Sequence, residues 1–321
     1  MTILKQQTQV EKQMENQSLA SAEEDPMTTT ETPAQAQSSR GEPLGMRPRT
    51  LWWFMAITFG LGWGTGALLF LFTDQIEALF GPVSGTNPVF ILLVWSPAIA
   101  GLTLVWRHYG RRGVGRFLRR LTLWRMPSPW WIFLLLGIPA AKYVGAAFNG
   151  SAGDFPFSPW YGLLPAMAIA LFIGPIEELG WRGVALPLLQ RRFAPLLSAL
   201  ILGAFWAVWH APSFLLSGTP QSAWSFGPYL FGVLALSVII TPLFNAAQGS
   251  ILMAALFHFQ INGPAWPDAQ PWENYLFALV AIVVVFINRK AMLTRDNAVT
   301  DVLMHDPVAD LTEPKQEGIP S

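Results

Sequence analysis

The chain of 321 residues contains no cysteine. Disulfides, thiolate zinc sites, thiol nucleophiles, and prenylation or palmitoylation of this chain are excluded together. Charge is scarce as well: 12% of residues are Asp, Glu, Lys or Arg, against 52% hydrophobic. Soluble domains carry roughly twice that charged fraction, so an integral membrane protein is expected. The formal net charge is zero, and no nucleic-acid partner is expected. The helical zinc-protease run HExxH is absent. So is any internal repeat of the kind that builds inverted-repeat transporters.

What is present divides into three parts. Residues 1–48 are rich in Gln, Glu, Ser and Thr; they read as a disordered cytoplasmic tail with no cleavable leader. Residues 49–290 hold the apolar segments and read as the transmembrane domain. Residues 291–321 turn polar again and read as a solvated C-terminal tail. A membrane helix needs about 20 apolar residues to cross about 30 Å of hydrocarbon. The segments 51–73, 88–106, 128–148, 160–189, 195–216, 226–244, 250–262 and 275–287 meet or approach that, so the fold class is all-α, a polytopic bundle of about eight transmembrane helices. Lys142 lies close enough to one end of its span to snorkel outward.

The distribution of charge orients the bundle. Between spans two and three, Arg107, Arg111, Arg112, Arg116, Arg119, Arg120 and Arg125 occur with no acidic residue, which marks a cytoplasmic connection, part of which is apolar enough to lie along the membrane surface. With eight spans, Arg47, Arg49, Arg191, Arg192, Arg289 and Lys290 fall on that side, and Asp74, Glu77, Asp154, Asp268 and Glu273 fall on the other with no basic residue. Both termini are thus expected in the cytoplasm.

Against this background the run EELGWR stands out, since Glu177, Glu178 and Arg182 sit at the end of an apolar stretch. An ionisable group at mid-bilayer costs at least about 2.5–3.5 kcal/mol on insertion scales and needs a partner or a task. Glu178 and Arg182 are i and i+4 on a helix, in the favourable order for an ion pair, which leaves Glu177 free to point elsewhere. His210 follows Trp206 at the same spacing in the fifth span, and His258 precedes Asn262 by four in the seventh. The chemistry open to this set is hydrolytic. A carboxylate held out of bulk water is a base for a water molecule, an imidazole can orient that water, and an imidazole with a carboxamide can donate to an oxyanion. Counted along upright helices, Glu177 and His210 are not level, so tilt, the prolines Pro175 and Pro187 or a later start to the fourth helix must bring them together.

Other readings of the same residues exist. A membrane histidine is often a hydrogen-bonded packing residue, so the cluster also fits a non-catalytic immunity or scaffold protein, and less well a transport pathway. Two glutamates and two histidines match the ligand types of zinc, the less favoured alternative to a site with no cofactor.

The ordered motifs EExxxR (Glu177, Glu178, Arg182), aromatic-xxx-His (Trp206, His210) and HxxxN (His258, Asn262) resemble those of the CPBP family. That family includes CAAX prenyl endopeptidases and bacterial Abi-type proteins, and its members have been termed metalloproteases. The likeness covers residues 160–263, with Trp206 standing where Phe is usual. It implies an intramembrane endopeptidase acting on membrane-associated peptides or proteins, in a bacterial cell membrane if the source is bacterial. It also implies that Glu177 and His210 activate water and that His258 and Asn262 form an oxyanion hole.

Overall fold

The structure, a computed structural model, describes residues 45–304; the expected disorder of the N-terminal tail falls on residues outside that range, apart from Gly45–Pro48. Among the described residues every regular element is helical. Five helices are long and apolar enough to cross a membrane: Thr50–Leu71, Pro88–Thr122, Ser128–Asn149, Trp160–Gln190 and Phe226–Ala246. Three shorter apolar helices, Pro195–Trp209, Ile251–Ile261 and Trp272–Ile287, account for the remaining segments expected from the sequence. Apolar side chains cover these helices all round, so lipid and neighbouring helices can both be met without a polar stripe. Local chemistry sets their ends. Asn87 Oδ1 accepts from the amides of Val89 and Phe90 with Pro88 in the first turn, and Ser250 Oγ accepts from the Met253 amide, both satisfying amides that a helix start leaves over.

Thr50–Leu71 packs on Pro88–Leu118, Pro195–Trp209 on Phe226–Ala246, and the latter on Trp272–Ile287. Two helices widen to a π turn two residues before a proline: Phe133–Gly137 before Pro139 and Trp181–Ala185 before Pro187. Proline has no amide hydrogen to give the preceding turn, and the wider turn accommodates the loss.

The arginine-bearing segments gather at one end. The helix from Pro88 runs on to Leu118 through a kink at Gly110, so most of the basic connection is helical. Arg120, expected among solvated charges, is only 1% exposed. Its Nε donates to the Gly249 carbonyl at 2.8 Å, and its Nη1 to those of Gly183 and Val302, each at 2.9 Å. Pro187 deprives the Gly183 carbonyl of its i+4 donor, and Arg120 supplies one instead. Residues 291–304 differ from the solvated tail expected. Met292 and Val302 are buried, and the segment is held by Arg116 to the Met304 carbonyl, Gln190 to that of Val299 and Arg191 to that of Thr300. An arginine fork binds backbone carbonyls that no helix or sheet satisfies, which residue counting cannot foresee.

The acidic loops gather at the other end. Asn149 and Ser151 bond the Asp268 carbonyl, and Gly218 packs on Val83. Lys142 does not snorkel. It is 8% exposed and ion-paired with Glu273, which is equally buried; a charge near a helix end turned inward because a carboxylate from the last span was there to meet it.

Candidate active site

The span that carries EELGWR is broken above it. Helix Leu163–Phe172 stops, Ile173 is extended, and Gly174 takes φ 94° and ψ −70°, a region that side chains other than glycine rarely enter. A new helical run starts at Pro175. The break removes the depth mismatch. From Gln190 back to Glu177 is about 20 Å at 1.5 Å per residue, and from Pro195 to His210 about 22 Å, so both lie about equally far from the basic end. Gly180 then lets the motif sit against the second span, where a Cβ would come within 2.2 Å of the Pro97 carbonyl oxygen.

Glu178, Arg182 and His258 form one buried set. Arg182 Nη1 donates to Glu178 Oε1 at 3.1 Å, the pair expected from i,i+4 spacing. His258 Nδ1 meets the same oxygen at 2.7 Å. Glu178 and Arg182 have no exposure and His258 has 3%. The Arg182 guanidinium also lies 4.5 Å from the Trp206 ring centroid, a stacking arrangement that offsets part of the cost of burying it.

Glu177 faces elsewhere, as the 100° turn between neighbours on a helix requires. Its Oε2 accepts from Trp206 Nε1 at 2.9 Å. His210 closes the helix Pro195–Trp209, and its Nδ1 lies 2.8 Å from the Trp206 carbonyl. A carbonyl can only accept, so Nδ1 carries the hydrogen, which in the neutral ring leaves the lone pair on Nε2. Asn262 caps the helix that carries His258. A Cβ placed on Gly174 would lie 2.6 Å from Asn262 Nδ2 and 3.0 Å from His258 Nε2, so both side chains converge on the backbone break.

Glu177, His210, His258 and Asn262 all line one cavity of about 650 Å³. Glu178 and Arg182 lie behind its wall. Three further lining residues were given no part in the site by the sequence reading. Trp206 was the leading residue of a motif and proves to be the hydrogen-bond donor to Glu177. Tyr229 packs its ring 5.5 Å from that of His210; a phenol within an apolar span was the available signal. Lys142 reaches the lining through its ion pair. Among the described residues no group of three or more His, Asp or Glu side chains is placed to hold a metal ion. Glu178 Oε1 is already engaged by Arg182 and His258.

Residues 159–263 match the family described as type II CAAX prenyl endopeptidase Rce1-like. The chain is similar to CAAX prenyl protease 2 of Methanococcus maripaludis, with 29% identity over an alignment 180 residues long that covers 51% of this chain. The match spans 64% of that relative's length, less than two thirds of it. The family match contains all seven residues named in the three motifs.

Proposed function

Both matches support the CPBP/CAAX protease family, and from that premise we propose that the chain is an intramembrane endopeptidase. It hydrolyses a peptide bond in a membrane-associated substrate. The observation that carries this reading is the shared wall: a carboxylate, two imidazoles and a carboxamide from three separate spans face one cavity inside an apolar bundle.

In this reading Glu177 takes a proton from a water molecule while the water oxygen adds to the scissile carbonyl carbon. The lone pair on His210 Nε2 accepts the water's other hydrogen and orients it. Asn262 Nδ2 and His258 Nε2 donate to the oxyanion. Glu178 Oε1, 2.7 Å from His258 Nδ1, fixes the orientation of the ring. The intermediate collapses by breaking the C–N bond, and Glu177 returns the proton to the leaving amine. Trp206 holds Glu177, and Arg182 holds Glu178. No step passes through a metal.

The test is cleavage of membrane-anchored peptides, lipid-modified ones included, by purified protein in bilayers. Wild type cleaves; Glu177→Gln and His258→Ala do not while remaining folded, and a zinc chelator has no effect. Undiminished cleavage by Glu177→Gln would sink the mechanism.

A further inference from the structure

The connections that line the cavity all lie at one end of the bundle. Beyond the helices it is lined by Ser84 and Gly85, by Gly218 to Gln221, and by Pro267 to Gln270. These belong to three connections at the end that carries Asp74, Glu77, Asp154, Asp268 and Glu273 and has no Lys or Arg outside the paired Lys142. No lining residue comes from the connections 107–127, 190–194, 247–250 or 288–304, which hold the arginines and are tied together by the hydrogen bonds of Arg116, Arg120 and Arg191. Depth agrees. Glu177 and His210 lie about 20 Å from the basic end of a hydrocarbon core of about 30 Å, so they are nearer the acidic end.

Short connections rich in Lys and Arg stay in the cytoplasm, and acidic residues have little influence on this. We propose that the cavity opens on the extracytoplasmic side. Its substrate is then a peptide segment presented there, exported or embedded in the outer leaflet, rather than the cytoplasmic terminus of a soluble protein. This rests on the protease reading for its substrate and on charge and cavity geometry alone for its sidedness.

The absence of native cysteine gives a clean test. Thr86→Cys and Ser222→Cys sit at exposed positions beside the cavity mouth, and Thr122→Cys at an exposed position of the basic end. In spheroplasts carrying the protein in the inner membrane, an impermeant maleimide is expected to label Thr86→Cys and Ser222→Cys directly. Thr122→Cys is expected to react only after permeabilisation, and the reverse pattern overturns the proposal. In a second arm a membrane-anchored peptide is offered to spheroplasts and to inside-out vesicles. Wild type is expected to cleave only in spheroplasts, and Glu177→Gln in neither. Cleavage confined to inside-out vesicles overturns the substrate assignment. Outward labelling with cleavage from neither face overturns the protease reading, and the substrate with it, but leaves the sidedness standing.

Discussion

Glu178 joins two distant motifs: its Oε1 is 2.7 Å from His258 Nδ1, 80 residues away in sequence, and 3.1 Å from Arg182 Nη1. The second carboxylate of EELGWR thereby joins the first motif to the third. Glu178→Gln keeps the shape but removes the carboxylate charge that faces His258 Nδ1 and Arg182. Its kcat should fall about 10²–10³-fold, the usual effect of weakening one oxyanion donor, with KM little changed. Single-turnover kinetics alongside an unfolding curve would separate this from a loss of fold.

Trp206→Phe removes the Nε1 donor to Glu177 and keeps an aromatic ring against Arg182 and His258. A hydrogen bond to a charged group contributes about 1.5–3 kcal/mol, so kcat should drop roughly tenfold to a hundredfold if the bond orients the base. Measured rates equal to wild type would show that packing alone positions Glu177.

Gly174→Ala would be far more damaging than its size suggests. The backbone there has φ 94°, and the new Cβ would collide with Asn262 Nδ2 at 2.6 Å. Near-complete loss of cleavage is expected, with destabilisation of about 1–3 kcal/mol from the strained backbone; a kinetic assay and denaturant unfolding in detergent read the two effects separately.

Arg120→Met leaves the buried carbonyls of Gly183, Gly249 and Val302 without this donor. Each lost partner costs about 1–3 kcal/mol, so a loss of several kcal/mol is expected. Arg120→Lys should recover only part of it, because a single ammonium lacks the fork that reaches three directions. Thermal unfolding of the three proteins in one detergent would rank them.

Much of this was legible in the order of residues. Eight apolar segments, the Glu178 to Arg182 pair and the separation of basic from acidic loops each follow from a local cost: of burying charge, of leaving backbone unpaired in lipid, or of moving arginine across a membrane. The misreadings were of charges judged by position along the chain. Lys142 and Arg120 both looked able to reach water, and both are buried because partners distant in sequence satisfy them. The tail from 291 looked solvated for the same reason.

Sequence by itself determined the all-helical membrane class, the three motifs and the four groups able to do hydrolytic chemistry, because spacing of 3.6 residues per turn and the cost of charge in lipid act within a few residues. Only tertiary structure decided that Trp206 holds Glu177, that Glu178 holds His258, that Gly174 breaks the fourth span so the groups come level, and that connections of the acidic end line the cavity. Those are distances between helices, and they depend on packing and on hydrogen-bond donors contributed from far along the chain.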